Sequence, residues 1–577
     1  MNKPLLSATE MSSGVSDARD YHQRTKHHFS GYAKGPETID WDNQPNPFRR
    51  YDGAPLVELP FVADQLSVSY AQLTDSAAQK VVAEKVNLKW IAGWLETSLA
   101  LSAWKQFGTA RWSLRCNPSS GNLHPTEAYL ILLGVPGVAD GLYHYCVELH
   151  ALELRCELLC EERCDLRCEE HDETTPAENP PVVYLGLSSI AWREAWKYGE
   201  RAYRYCQLDI GHAVAALNYA AGLQGGSVEA LPTTADAQLA QLLGVDRTDD
   251  FAEVEKEYPE VLLRLNTSNS DSLDGTEKEE IETLLANVSV GKWHGRPNLL
   301  DRHPFYKWPI IDETFALCEK SEGLEIEQPQ TLNVYPSALA SSCDESAARI
   351  IRSRRSAQAF DVQSVLAKDD LFRILDQTLP RKDFLPWSGL TGDVLVHCIL
   401  FIHRVEGFAP GLYAFPRSES GQAMMRSELR DQFLWKTLDD GPNAGHRDFP
   451  LYQLITAKAE RTASKLSCQQ PIAGDGAFSL GMLGDFADVD ATPWQYRAIL
   501  SEAGMIGQTL YLEAESVGMR GTGIGCFFDD GVHDLLGIQT ERLQSVYHFT
   551  VGNPIIDHRL ASYSPYSELK KQRGADQ

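Results

Sequence analysis

The feature that most constrains the fold is an internal repeat at a constant separation along the chain. Several residues of the first half recur, without a gap, 293 positions later. A single spacing kept over such a stretch is typical of a duplicated structural unit. The sequence therefore predicts an α+β fold built from two divergent copies of one domain. The matching pairs are Tyr203 and Tyr496, Arg204 and Arg497, Gly211 and Gly504, Leu217 and Leu510, Ala221 and Ala514, Gly225 and Gly518, Asp236 and Asp529, and the Leu-Leu-Gly runs at 242–244 and 535–537.

The repeat and the local composition divide the chain into four parts. We expect an irregular N-terminal lead-in segment at 1–75, a first domain at 76–255, an acidic connector at 256–340 and a second domain at 341–577. A fused pair can close its own pseudo-twofold interface, so we expect an intramolecular pseudo-dimer and leave further homo-oligomerisation open. Hydrophobic periodicity predicts helices at 80–105, 192–223, 347–379 and 496–517, and strands at 128–134, 182–187 and 394–401.

The charge balance excludes several classes of partner. Asp and Glu number 80 against 53 Lys and Arg, which gives a formal net charge of −27. Such an acidic surface repels nucleic-acid phosphates and anionic lipids, so we expect neither nucleic acid nor membrane as a partner. The chain has no run of 18 apolar residues, and residues 1–17 lack the apolar core of a secretory signal. Its scattered cysteines suit a reducing compartment, and we expect a cytoplasmic protein.

Two clusters contain residue types that bind metals. Residues 21–28 include three histidines, and four cysteines, Cys156, Cys160, Cys164 and Cys168, recur at every fourth position. On a helix these cysteines would extend over about 18 Å, which is too far for one tetrahedral ion. We interpret the histidines as a surface segment and the cysteines as part of a charged excursion, and we expect no metal site.

Three segments carry groups suited to a phosphorylated, planar ligand. The loop 118–122 offers backbone N–H, hydroxyl and amide groups, although a simple β-turn has the same composition. The Arg-Arg-Ser segment at 354–356 suits a phosphate monoester, although solvated arginine clusters are common. The glycines at 521–525 allow close approach of a backbone to a ligand, but they follow a helix and so do not form the dinucleotide fingerprint. The candidate binding residues are Pro118, Ser119, Ser120, Asn122, Arg354, Arg355, Ser356, Gly523, Gly525 and Cys526.

Lys197 and Tyr198 are the candidate catalytic residues. They provide an ammonium and a phenol, each able to donate a proton or, after a pKa shift, to accept one. The alternative is a surface lysine beside a half-buried tyrosine.

The two halves have complementary gaps in these motifs. At the 293-residue separation, Asp490-Ala491 replaces the Lys-Tyr pair and residues 228–232 replace the glycines. The loop 118–122, called the serine loop below, corresponds to Leu385-Pro-Trp-Ser-Gly389 in the second half. In the first half, no Arg-Arg-Ser segment precedes the first helix. We therefore expect one composite site, with the serine loop and Lys-Tyr pair from the first half and the Arg-Arg-Ser and glycine segments from the second.

Together these segments resemble the nitroreductase superfamily, specifically its SagB/ThcOx-type dehydrogenase branch. The resemblance implies two nitroreductase-like domains and FMN bound at their seam. It also implies that the Arg-Arg-Ser segment and Arg559 hold the phosphate, that the backbone at Gly525 and Cys526 faces flavin N5, and that the Lys-Tyr pair handles the proton released during hydride transfer.

The function expected from this resemblance is an FMN-dependent oxidoreductase that passes a hydride from a small-molecule or peptide-derived substrate to the flavin. Two alternatives stay open. One is an NAD(P)H-dependent reductase of nitro or quinone compounds, and the other is a degenerate flavoprotein that serves as a binding or scaffold partner.

Overall fold

A computed structural model describes residues 14–75, 81, 85–158, 180–267, 276–323, 335–381, 384–390, 392–438 and 449–574. These residues form a mixed α+β fold with two large antiparallel sheets, one from each half of the chain. Cys160, Cys164 and Cys168 lie outside the described residues. No described helix is both long enough and apolar enough to cross a membrane.

The first half begins with helices and short strands and then forms its large sheet. Its helices are α1 Ala18–Arg24, α2 Tyr70–Thr74, α3 Leu88–Glu96, α4 Ala191–Tyr198, α5 Ala202–Gly222, α6 Asp236–Leu243, α7 Thr248–Phe251, α8 Glu277–Val290 and α9 Pro309–Leu317. Its strands are β1 Tyr51–Asp52, β2 Leu56–Glu58, β3 Leu101–Phe107, β4 Ala110–Arg115, β5 Thr126–Leu133, β6 Gly141–Cys146, β7 Ala151–Glu157, β8 Val182–Ser189, β9 Ser227–Ala230, β10 Tyr258–Asn266, β11 Lys292–Trp293 and β12 Arg296–Pro297.

The second half has a similar succession of elements. Its helices are α10 Ala347–Ser353, α11 Lys368–Asp376, α12 Glu419–Glu428, α13 Glu460–Leu466, α14 Ile472–Asp475, α15 Gln495–Ser516, α16 Asp529–Leu536 and α17 Ser567–Gln572. Its strands are β13 Val396–Ile402, β14 Gly411–Phe415, β15 Lys436–Thr437, β16 Tyr452–Thr456, β17 Phe478–Asp485, β18 Arg520–Ile524, β19 Leu543–Gly552 and β20 Ala561–Tyr563.

The two large sheets have the same strand order. The first runs β11-β7-β6-β5-β8-β10-β9, with β2 paired to β7, and the second runs β15-β16-β14-β13-β17-β19-β18. Their central strands, such as β5 and β13, are buried along their whole length, which explains their near-continuous apolar sequences. A third sheet, β20-β3-β4, joins a strand near the end of the chain to a hairpin of the first half.

The long helices α5 and α15 pack against each other where the repeated glycines meet. A Cβ on Gly211 would lie 1.9 Å from the carbonyl oxygen of Ser501 and 2.9 Å from the Cα of Gly504. Only glycine allows the two backbones to come this close. Nearby, the rings of Tyr203 and Tyr496 stack on each other with centroids 6.1 Å apart. Residues that match in the sequence repeat thus touch each other across the two halves.

Ion pairs repeat across the same interface. Arg204 on α5 pairs with Asp529 at the start of α16 at 2.9 Å, and both groups are buried. In the equivalent place, Arg497 on α15 pairs with Asp236 at the start of α6. Buried charges need such partners, because an isolated ion is costly to remove from water. The matched Tyr-Arg and Asp positions of the repeat are therefore interface residues.

Several predicted element boundaries are wrong. The helix predicted at 80–105 ends at Glu96, and residues 101–107 form β3, which pairs with β4 and β20. The helix predicted at 192–223 is two helices, because Gly199 adopts a φ of +56° between α4 and α5.

The parts proposed as connector and lead-in are more ordered than predicted. Tyr258–Asn266 lies between β8 and β9 in the first sheet, so residues 256–340 are not merely a connector. Within the described residues 14–75, helix α1 forms and β2 joins the first sheet, so this part of the lead-in is not irregular throughout. His22 and His27 are buried rather than facing solvent. Within the described residues, no three His, Cys, Asp or Glu side chains are grouped as metal ligands.

Candidate active site

A cavity of about 470 Å³ lies between the two halves. This volume is in the range of small-molecule sites in proteins. The first half contributes its serine loop and residues of α4 and α5, and the second contributes its arginine segment and β18. The predicted residues that line the cavity are Pro118, Ser119, Ser120, Asn122, Tyr198, Arg354, Arg355, Ser356, Gly523, Gly525 and Cys526.

Five Lys and Arg side chains line this cavity, one of which is Arg115 of β4. Arg354 follows helix α10 and is only 4% exposed, and its guanidinium donates to the carbonyl oxygens of Cys116 at 3.2 Å and Arg115 at 3.3 Å. Both acceptors are neutral and belong to the first half, so these hydrogen bonds of Arg354 join the two halves. The other three cations are Lys105, Arg355 and Arg520.

Among the described residues, no carboxylate lies within ion-pair distance of Arg354 or Arg355, although Glu515 pairs with Arg520 at 3.4 Å. Burial, and then the charge of Arg354, lower the pKa of Arg355 to about 10. Unpaired guanidinium groups held together in this way indicate a site for an anion. Ser356 adds a hydroxyl that lies 2.8 Å from the hydroxyl of Tyr511.

The serine loop is held in place by a buried carboxylate. The backbone N–H and the hydroxyl of Ser120 both donate to Asp209 of helix α5, each at 3.1 Å. The Asn122 side chain donates to the Ser113 carbonyl at 2.7 Å, and the backbone of Asn122 is left-handed with a φ of +60°. The loop is therefore a fixed wall of the cavity rather than a simple surface turn.

Lys197 and Tyr198 end helix α4 next to this loop. A Cβ built on Gly121 would lie 2.5 Å from the Tyr198 hydroxyl and 3.1 Å from Lys197 Nζ, so both polar groups lie against the loop. Tyr198 lines the cavity, whereas Lys197 is not among its lining residues and lies over the Trp41 ring. Burial lowers the pKa of Lys197, and burial also raises the pKa of Tyr198 well above its usual value. The Tyr198 ring packs on Tyr205 with centroids 4.5 Å apart. The sequence motifs at 118–122 and 197–198 thus form one site.

Two buried carboxyl groups lie behind the Lys-Tyr pair. Glu194 is fully buried on helix α4, and burial followed by the charge of Asp209 raises its pKa well above its usual value, opposed by Lys197. Burial raises the pKa of Asp209 to about 7, opposed by hydrogen bonds from Ser119 and Ser120. Both groups therefore hold protons far more readily than exposed carboxyls do.

The glycine segment presents its backbone to the cavity. The N–H of Gly523 donates to the Tyr511 hydroxyl at 2.9 Å, and the carbonyl of Gly525 accepts from Arg201 at 3.1 Å and Tyr205 at 3.2 Å. In the part of the chain that is described, the N–H groups of Gly525 and Cys526 donate to no protein acceptor. These two donors are available to a bound ligand.

Arg559 is not brought to the cavity, which corrects its predicted role in phosphate binding. Its side chain is 77% exposed and pairs with Asp557 at 2.7 Å. A flexible surface guanidinium that is already paired gives little to a buried anion.

The equivalent position on the opposite side of the interface is nearly filled. The cavity there measures about 50 Å³ and is lined by Pro232, Gly389, Trp494, Arg497 and others. Pro232 and Trp494 stand where the repeat has Gly525 and Arg201. Arg497 is already paired with Asp236 and Glu260, so it has no charge left for a ligand.

Sequence reasoning missed several cavity residues. Lys105 was assigned to a helix, although it lies on β3 and lines the cavity. Arg520, Tyr205 and Asp209 line it too. Tyr205 and Asp209 lie four residues apart on helix α5, so they share one face of that helix and their spacing was a usable signal.

Comparisons with known proteins agree with a nitroreductase-type fold. Residues 420–553 match the nitroreductase family, so the second half contains a nitroreductase family domain. A proposed nitroreductase of Methanocaldococcus jannaschii is 26% identical over 146 residues, which cover 25% of this chain and 67% of that protein.

The structural comparison extends to both halves. A crystal structure of a proposed nitroreductase from Anabaena variabilis is similar with a TM-score of 0.63 and 20% identity, over 93% of this chain and 99% of that chain. This match shows a shared fold for nearly the whole chain. A proposed nitroreductase from Exiguobacterium sibiricum, solved in complex with FMN, is similar over 38% of this chain and 92% of that chain, with 13% identity and a TM-score of 0.22.

Proposed function

We propose that the protein is an FMN-dependent oxidoreductase in which two nitroreductase-like domains are fused into an intramolecular pseudo-dimer. The observation that carries the proposal is the buried guanidinium of Arg354 beside the half-buried guanidinium of Arg355. Both line the cavity of about 470 Å³, and neither has a carboxylate ion-pair partner among the described residues. A phosphate monoester on a planar ligand supplies the missing anion.

The donor groups along the cavity fit the parts of FMN. Arg354, Arg355 and Ser356, joined by Lys105 and Arg520, would hold the phosphate. The serine loop would bind the polar edge of the ring system, and the free N–H groups of Gly525 and Cys526 would meet the ring. When bound, FMN supplies the acceptance and donation of a hydride.

The chain's own residues supply the proton chemistry. A lowered pKa makes Lys197 a better base at neutral pH, because more of its amine is unprotonated. Nζ of Lys197 would accept the proton that the substrate loses, with the Tyr198 hydroxyl as its neighbour. Glu194 and Asp209, which lie behind the pair, would keep protons close to this site. This arrangement favours a SagB/ThcOx-like dehydrogenase acting on a small molecule or a peptide-derived ring over a simple NAD(P)H-dependent reductase.

Flavin stoichiometry tests the proposal. FMN released from the purified protein should approach one per chain, because the opposite cavity of about 50 Å³ is too small to hold it. A value near two would refute the single composite site, and a colourless protein that does not take up FMN would support the scaffold alternative.

The reaction direction needs a separate experiment. Under anaerobic conditions, a peptide containing a five-membered azoline ring should bleach the flavin absorbance at a rate that NADH and NADPH do not reach. Rapid bleaching by either nicotinamide with none by the azoline would favour the reductase.

A further inference from the structure

Two cysteines lie side by side at the edge of the cavity. Cys526 follows strand β18 and lines the cavity, and Cys468 lies in the turn after helix α13. Hydrogen bonds on both sides hold the two segments together, from Phe528 N–H to the Leu466 carbonyl at 2.8 Å and from the Gln470 side chain to the Cys526 carbonyl at 3.3 Å. The two thiols interact strongly enough to shift each other's pKa, and neither residue is fully buried.

The surroundings give the two sulfurs different protonation states. His27 Nδ1 accepts from the Ala33 N–H at 2.9 Å, so the neutral ring carries its proton on Nε2 and donates it to Cys526. The hydrogen bonds from Cys468 and His27, with the charge of Arg201, hold the pKa of Cys526 well below its usual value. The same contact raises the pKa of Cys468. Cys526 is therefore the sulfur that loses its proton more readily, and Cys468 holds its proton more firmly.

The backbone around Cys468 is also unusual. Cys468 and Gln469 are consecutive non-glycine residues with left-handed φ values of +51° and +59°. Such strain persists where the surrounding structure fixes it, and it is concentrated at functional sites. Here it lies in the turn that the Leu466 and Gln470 hydrogen bonds hold against the segment of Cys526.

The other described cysteines provide a contrast. Cys116, Cys146, Cys206, Cys318 and Cys398 are buried, and burial raises the pKa of each thiol. A buried neutral thiol is a poor nucleophile.

We propose that Cys526 and Cys468 form a redox-active pair that undergoes thiol–disulfide exchange with low-molecular-weight disulfides at the mouth of the cavity. The Cys526 thiolate attacks one sulfur of the disulfide R–S–S–R, which forms a Cys526–S–R bond and releases one thiolate RS⁻. Cys468 then loses its proton and attacks the Cys526 sulfur, which forms the Cys468–Cys526 disulfide and releases the second RS⁻. Starting from a Cys526 thiolate and a Cys468 thiol, the protein loses two electrons and one proton. The small disulfide takes up both electrons, and the two released RS⁻ groups become thiols with that proton and one from solvent.

This exchange goes beyond the proposed flavin function and needs no bound flavin. The full-length protein is incubated with bis(2-hydroxyethyl) disulfide, digested under conditions that trap thiols, and mapped by mass spectrometry, both as purified and after removal of flavin. The expected product is a cross-link between the peptides of Cys468 and Cys526, with a loss of two hydrogen masses.

Single variants separate the two roles. Cys468→Ser should stop the reaction at a stable hydroxyethylthio adduct on Cys526, and Cys526→Ser should lose the reaction at position 468 as well. Cys343→Ser, which changes another partly exposed thiol, is the matched control and should react like the wild type. The proposal is overturned if the wild type keeps a mixed disulfide without forming the cross-link, if Cys468→Ser gives no adduct at Cys526, or if another cysteine reacts faster.

Discussion

Replacing Arg354 by alanine should weaken FMN binding by about ten- to 150-fold. A hydrogen bond from a charged group contributes about 1.5–3 kcal/mol, and about 1.4 kcal/mol corresponds to a tenfold change in dissociation constant. Arg354 is at the high end of this range in the structure, because it is 4% exposed and binds only neutral carbonyls. Its charge is therefore neither screened by water nor used by a carboxylate.

The neighbouring Arg352 provides the matched control. It is two residues away and carries the same charge, but it pairs with Asp64 at 2.6 Å outside the cavity. Arg352→Ala should change FMN affinity by less than about threefold, since an exposed pair contributes about 0–1 kcal/mol. Arg354→Lys keeps the charge without the forked donor geometry, and its affinity should fall between those of Arg354→Ala and the wild type.

The assay is a fluorescence titration of flavin-free protein with FMN, with circular dichroism to correct for the folded fraction. That correction is needed because Arg354→Ala also leaves the carbonyls of Cys116 and Arg115 without their donor, at a cost of about 1–3 kcal/mol in folding. The phosphate clamp would be refuted if Arg354→Ala kept wild-type affinity. It would also be refuted if Arg352→Ala lost as much affinity as Arg354→Ala, because the effect would then come from general charge rather than contact.

Three further outcomes test the fold and the site. Gly211→Ala should destabilise the protein by about 1–3 kcal/mol or more, since the added methyl meets the backbone of the facing helix, whereas Gly31→Ala, with nothing within 4 Å, should have little effect on the denaturation midpoint. Lys197→Ala and Tyr198→Phe should keep FMN bound but reduce turnover by about 10²–10⁴-fold, and wild-type rates in both would leave the pair a structural role. Because the folded-state pKa of Asp209 is about 7 and its ordinary value is 3.8, the folded protein holds a proton that the unfolded chain releases, so stability falls as pH rises between these values. Asp209→Asn should remove this pH dependence, which amounts to about 4 kcal/mol of unfolding free energy in total between these two pH values. An unchanged pH dependence in chemical denaturation would contradict the assignment.

The repeat could be predicted from the sequence because the repeated residues have roles that are set by their local structure and are the same in both halves. The two Leu-Leu-Gly runs end helices α6 and α16, where Gly244 and Gly537 adopt left-handed φ values of +68° and +76°. A glycine just after a helix is a strong local signal. The serine loop, the Lys-Tyr pair and the arginine segment were also found, because each is a short run of unusual composition.

The residues that were missed depend on partners far away in the chain. Residues 97–105 have a composition that a helix accepts, but 101–107 become a strand by pairing with 110–115 and with Ala561–Tyr563. A local window cannot detect a partner more than 450 positions away, so Lys105 was not recognised. Strand β10 was overlooked because acidic segments surround it. The predicted role of Arg559 in phosphate binding was wrong for a related reason, since the position of a residue in the sequence does not show whether its side chain is exposed.

The pattern of what the two halves kept and lost supports the proposed single site. Several of the matched pairs are interface contacts: Gly211 against Gly504, Tyr203 against Tyr496, and the equivalent ion pairs Arg204–Asp529 and Arg497–Asp236. Each half needs its own copy of these residues, because the interface fails if either side is lost. A ligand site has no such requirement once the halves are fused, since one complete set of residues makes one site. The unmatched motifs all belong to that set, and the opposite cavity, which they do not line, measures only about 50 Å³.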